Sequence, residues 1–163
     1  MARRVFFSFH YKRDIWRVNQ VRNTWVTKED IEEAGYIDAA EFEKVERQGE
    51  KAIKRWIDNQ LEGTSVTVVL IGYETHEREY VRYEIEQSYK RGNGLLGIYI
   101  HNLKDQNGRT DYEGKNPFDN WYIKRNGEKI YLSSLYPTYD WVNDDGYNNL
   151  GDWIEAAAEK AER

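Results

Sequence analysis

The chain has 163 residues with 24 Lys and Arg against 29 Asp and Glu, a formal net charge of −5, which argues against a dedicated nucleic-acid binder. Hydrophobic residues reach only 39%, but six Trp, thirteen Tyr and five Phe supply a core-forming aromatic fraction of 15% and exclude global disorder. No apolar run approaches the ~20 residues of a membrane span, and the absence of Cys removes disulfides, thiol nucleophiles and Cys-based zinc sites.

In chain order, Met1-Ala2-Arg3-Arg4 leads into a β-like run instead of a signal peptide. Val5-Phe6-Phe7-Ser8-Phe9 reads as a strand buried on both faces. Ile15, Val18, Val21 and Trp25 follow at helical spacing, with Asp14 as the expected N-cap. Residues 29–50 carry Glu29, Asp30, Glu32, Glu33, Asp38, Glu41, Glu43, Glu46 and Glu50 against Lys44 and Arg47. This acidic excursion over 26–47 is expected to be a solvated loop with at most a helical turn, with Tyr36 and Phe42 outside the main core.

Ala52, Ile53, Trp56, Ile57 and Leu61 mark an amphipathic helix stopped by Gly63. Ser65-Val66-Thr67-Val68-Val69-Leu70-Ile71 is the strongest strand signal, and a helix over about 77–91 follows it. Leu95-Leu96-Gly97-Ile98-Tyr99-Ile100 is the next buried-type strand. Strands alternating with helices predict βαβ crossovers and an α/β, flavodoxin-like, doubly wound sheet in a three-layer αβα arrangement. Residues 3–101 form its βαβαβ core, and 102–163 are less regular. That second part holds a hairpin around Asn126-Gly127 and a C-terminal helix near Leu150, Trp153 and Ile154. One domain over 1–163 and a cytoplasmic location are the expectations.

Several motifs can be read for chemistry. Gly92-Asn93-Gly94-Leu95-Leu96-Gly97 matches GxGxxG, but a helix precedes it and a strand follows, the reverse of the dinucleotide fingerprint. No P-loop string exists, and the strand ending Val69-Leu70-Ile71-Gly72-Tyr73 offers no phospho-acceptor Asp. The three histidines (His10, His76 and His101) have no metal-ligand spacing, so no metal is expected. Ligands of parallel sheets bind beyond the carboxyl ends of the strands. Ser8, Phe9 and His10 stand at such an end, either as a pocket edge or as core and loop residues.

Glu84, in Tyr80-Val81-Arg82-Tyr83-Glu84-Ile85, falls on the inward face of its helix with Tyr80, Val81 and Ser88. An inward carboxylate requires a partner or a task. The spacing leaves two readings: an ion pair with Arg82, Lys90 or a residue across the interface, or a reactive group.

Arg4-Val5-Phe6-Phe7-Ser8-Phe9-His10 resembles the first box of TIR domains, and Tyr80-Val81-Arg82-Tyr83-Glu84-Ile85 resembles their W-V-x-x-E-I glutamate motif. Phe6-Phe7-Ser8-Phe9-His10-Tyr11 followed by Arg22-Asn23-Thr24-Trp25 is most similar to the TIR-like proteins of the Thoeris antiphage system. The resemblance covers residues 3–101. Tyr80 replaces the motif tryptophan, the 26–47 connection is longer than usual, and the second TIR box is not recognisable.

The resemblance implies an enzyme that splits the nicotinamide–ribose bond of NAD⁺, its substrate and not a bound cofactor. It also implies cyclisation of the ADP-ribose into a signal for a separate effector. Glu84 then matches the catalytic glutamate, with Ser8, Phe9, His10 and Tyr80 as substrate-binding residues. A homo-oligomer is compatible with the family, with neither nucleic acid nor membrane as partner. The alternatives are a non-enzymatic adaptor acting by self-association and a nucleoside deoxyribosyltransferase-like enzyme with a glutamate nucleophile.

Overall fold

A computed structural model describes residues 3–25, 31–34 and 44–163. Its principal sheet has five parallel strands: β1 (Arg3–Ser8), β2 (Ile31–Ala34), β3 (Val66–Ile71), β4 (Gly94–Tyr99) and β7 (Thr138–Asp140). They lie in the order β2-β1-β3-β4-β7. The hairpin strands β5 (Tyr122–Arg125) and β6 (Glu128–Tyr131) pair separately and antiparallel. The helices of the described residues include α1 (Tyr11–Trp25), α2 (Glu50–Leu61), α3 (Glu79–Lys90), the single turn α4 (Leu132–Leu135) and α5 (Gly146–Lys160).

Strand alternation sorts the side chains into two hydrophobic layers. Val5, Phe7, Val66, Val68 and Leu70 join Val18 and Val21 of α1 and Leu150 and Ile154 of α5 on one face. On the other face, Val69 and Ile71 pack with Val81 and Ile85 of α3, and Phe6 with Ile53, Ile57 and Leu61 of α2. Each of these aliphatic or aromatic side chains contributes about 1.5–3 kcal/mol when withdrawn from water. Helices on both faces of a parallel sheet make the three-layer, doubly wound fold that the alternation of strands and helices predicts.

The three strands read from the sequence pair in parallel as expected, with Val5 opposite Val66 and Val66 opposite Gly94. Two others were not legible. Ile31–Ala34, inside the acidic excursion, is not loop but an edge strand whose Arg4↔Glu32 and Val5↔Glu33 registers extend β1. Charged residues are usual on sheet edges, where they discourage pairing with another chain, and they conceal the apolar signal of a strand. Thr138–Asp140 is too short to show a period. Of the excursion's expected exposure, Tyr36 and Phe42 fall outside the described residues, whereas residues 44–47 form a helical turn in which Lys44 and Arg47 are exposed and Val45 is half-buried against the Phe6 cluster. The Asn126-Gly127 turn is formed, with φ of 54° and 82°.

The segment after β4 returns across the carboxyl edge of β3. Its Gly114 comes so close to the Gly72 carbonyl that a Cβ there would lie 2.1 Å from that oxygen and 2.8 Å from the Tyr73 oxygen. Both obstacles are backbone, so Gly114→Ala should force the segment off the strand end. A loss of about 1–3 kcal/mol is expected, as for other overpacked sites, read as a lowered denaturant midpoint.

Candidate functional site

The chain leaves β1 for β2 on one side and then crosses to β3 on the other. Ligand crevices of open α/β sheets form at such a switch point, beyond the carboxyl ends of the strands. Ser8 is the last residue of β1 and is fully buried. Glu84 faces it from α3, on the buried stripe Val81, Glu84, Ile85 and Ser88 that helical spacing produces. The Ser8 hydroxyl donates to Glu84 Oε1 at 3.2 Å.

Glu84 is 7% exposed. Burial drives its carboxyl well above the ordinary carboxylate range, and the Ser8 hydrogen bond, which favours the charged form, opposes that rise. Arg82 turns to the His76 carbonyl at 3.2 Å, and Lys90 lies 3.7 Å from Glu86. Among the described residues no ion pair engages Glu84, which removes the structural-pair reading for Arg82 and Lys90. What remains is a carboxyl held in an apolar wall by one hydroxyl.

The other expected site residues have surroundings of their own. His10 follows β1 and is buried, and its Nδ1 has no hydrogen-bond partner among the described residues. Burial lowers its pKa and the nearby Arg78 adds to the effect, so the neutral imidazole is favoured. Phe9 packs against the α1–α5 layer and stacks on Tyr11, with ring centroids 5.2 Å apart. Tyr80, one turn before Glu84, is half-buried against the Phe6 cluster. The structure therefore joins Ser8 to Glu84 directly, while Phe9 leans on the layer across the sheet from α3.

Sequence reasoning missed a second buried carboxyl. Asp14 is not the N-cap of α1. It lies within the first helical turn, and its backbone N–H bonds the His10 carbonyl at 3.0 Å. Its side chain turns inward, 1% exposed, to fill the space beside Gly72, where a Cβ would come within 2.2 Å of Oδ2. Thr75 Oγ1 accepts from Gly72 N at 2.7 Å and lies 3.5 Å from Asp14 Oδ2. The sequence signal was present: 14, 18 and 21 share the stripe that carries Val18 and Val21.

Arg13 and Arg17, from the same helix, tie down the segment after β4. Arg13 pairs with Asp111 through two nitrogens and stands 5.3 Å from the Tyr73 ring centre. Arg17 is buried and donates to the Leu103 and Arg109 carbonyls at 2.8 and 2.9 Å.

Residues 6–105 match the family described as Thoeris protein ThsB, TIR-like domain. The chain belongs to that family. A protein of Bacillus cereus (strain MSX-D12), named "Putative cyclic ADP-D-ribose synthase ThsB1", is 39% identical over 191 aligned residues, covering 94% of this chain and 100% of that protein. The family match spans both halves of the Ser8–Glu84 pair. No described helix of this ThsB-family chain is long and apolar enough to cross a membrane.

Burial raises the Asp14 carboxyl from 3.8 to about 6, against the opposing pull of Arg17 and Arg13. A folded-state pKa above the unfolded one means protonation favours folding. That contribution is complete below pH 3.8 and lost as pH rises through 6. Asp14→Asn should therefore be more stable than wild type by up to ~3 kcal/mol at neutral pH, with little difference at the acid end. Chemical denaturation from pH 4 to 7 measures it; a constant offset across that range would contradict the assignment.

Proposed function

We propose that this chain cleaves the nicotinamide–ribose bond of NAD⁺ and closes the released ADP-ribose into a cyclic molecule. That product signals to a separate effector in bacterial antiphage defence. The observation that carries this reading is Glu84, a carboxyl without an ion pair among the described residues, buried at the switch point and held by Ser8. The name carried by the Bacillus cereus relative supports the same reaction.

Cleavage sends the electron pair of the C–N bond to the nicotinamide nitrogen, which leaves neutral. The ribose carbon is left with oxocarbenium character. An anionic carboxylate beside that carbon stabilises the charge as it develops, the role carboxylates take in glycoside cleavage. A nucleophilic atom of the same ADP-ribose then attacks the carbon and closes the ring. Where that atom is a hydroxyl oxygen, the Glu84 carboxylate can take its proton.

In this reading His10, kept neutral by burial, hydrogen-bonds the substrate, and Tyr80, one turn before Glu84, lines the approach to it. A homo-oligomer and a cytoplasmic location are further parts of the proposal. A separate adaptor role would leave Glu84 dispensable, and a deoxyribosyltransferase would release free base from deoxynucleosides.

Glu84→Gln keeps the shape and removes the charge. Nicotinamide release should fall about 10²–10³-fold, the effect of removing one electrostatic stabiliser worth ~3–4 kcal/mol. Folding should be retained, because the substitution leaves no buried charge. Equal release by both proteins, or base release from deoxynucleosides with NAD⁺ untouched, would refute the assignment.

Ser8→Ala gives a separate test by pH. The active form is the carboxylate, so cleavage rises as pH passes through the elevated Glu84 pKa. Losing the hydroxyl that favours the charged form raises that pKa further. The acid limb of the rate profile should therefore move to higher pH, and an unmoved limb would exclude Ser8 from setting the ionisation.

A further inference from the structure

A cavity lies at the amino-terminal edge of β4, the end of the parallel strands opposite to Ser8. It is bounded by the end of α3, the α4–β7 segment and α5, and has a volume of about 860 Å³. That is within the ~300–1,000 Å³ of small-molecule sites. Its inner surface includes Leu95, Leu135 and Ala157. Tyr139 and Trp153 form an aromatic wall, stacked with centroids 4.1 Å apart and planes within 6°.

The charge around this cavity is opposite to that of the molecule. Lys90, Arg125 and Lys160 line it, and none of its lining residues is Asp or Glu, in a chain holding 29 acidic residues and a net charge of −5. Lys90 is shared with Glu86 at 3.7 Å. Lys160 donates to the Leu135 carbonyl at 2.7 Å, which positions its ammonium without neutralising it. Neither Arg125 nor Lys160 has a carboxylate partner among the described residues. Ser133 and Ser134 add hydroxyls.

We infer that this cavity is a second ligand site, for a phosphorylated aromatic compound of the mononucleotide class. The apolar surface and the Tyr139–Trp153 wall take the base, and Arg125 and Lys160 take the phosphate. Arginine and lysine are suited to phosphate through charge-assisted hydrogen bonds. The site is independent of the chemistry assigned to Glu84, since it opens at the other end of the strands. Helix α3 runs past both, with Glu84 and Tyr89 about 7.5 Å apart along its axis.

The test is calorimetric titration of the full chain with AMP, and in parallel with adenosine and with inorganic phosphate. AMP should bind saturably, with adenosine and phosphate each at least about tenfold weaker, because each lacks one half of the recognised chemistry. Arg125→Glu and Lys160→Glu are exposed changes that should each weaken AMP about tenfold or more while leaving the thermal unfolding profile intact. The wild-type protein gives an independent readout: AMP should shift the Trp153 indole resonance in an NMR spectrum. Absence of saturable AMP binding would overturn the proposal. So would AMP affinity unchanged by both reversals with no Trp153 shift, which would locate the nucleotide elsewhere.

Discussion

Glu84 sets the main constraint on this molecule. A carboxyl in an apolar wall, without a cation among the described residues, is among the more costly groups a small fold can bury. The compensation visible here is one hydrogen bond from Ser8 at 3.2 Å. That bond requires β1 to end where α3 presents its inward face, and it therefore depends on both the crossover from β2 to β3 and the β1–β3 register. The sheet is the means by which two residues 76 positions apart are held in contact.

Much of this arrangement could be read in the chain because it follows from periodicity. The two-residue alternation along Val66–Ile71 sends 66, 68 and 70 to one layer and 69 and 71 to the other. The helical period places Glu84 with Val81, Ile85 and Ser88. The missed elements lacked such a signal. Ile31–Ala34 is an edge strand with two glutamates, and Thr138–Asp140 has three residues. Asp14 was misread for another reason. An Asp near a helix start is a common cap, and only the tertiary fit beside Gly72 and Thr75 distinguishes an inward carboxyl from an outward one. The partner of Glu84 was likewise illegible, because Ser8 belongs to a strand whose distance from α3 is set by topology.

Helix α1 links the crevice to the later part of the chain. Asp14 packs beside Gly72, while Arg13 and Arg17, on the same turn and the next, hold the segment from Leu103 to Asp111. Gly114 brings that segment onto the Gly72 carbonyl. The carboxyl edge of β3 is thus enclosed by α1 on one side and by the returning chain on the other. A displacement of the 103–114 segment would disturb the Gly72–Thr75 turn that leads into α3, and with it the position of Glu84.

Two buried carboxyls stand near this edge, and their surroundings assign them different tasks. Asp14 has Arg17 and Arg13 among the charges that pull its pKa back down, and its shift stops at about 6. Its field is answered in part within the protein. Among the described residues no such cation acts on Glu84, and the Ser8 hydroxyl is the group that opposes its desolvation. A charge already compensated gains little when positive charge develops nearby, whereas an uncompensated one gains the full interaction in a site of low dielectric. The same absence of a cation that makes Glu84 expensive to bury makes it the carboxyl able to stabilise an oxocarbenium-like ribose. Asp14, for the same reason, is better suited to hold the edge of the crevice in place.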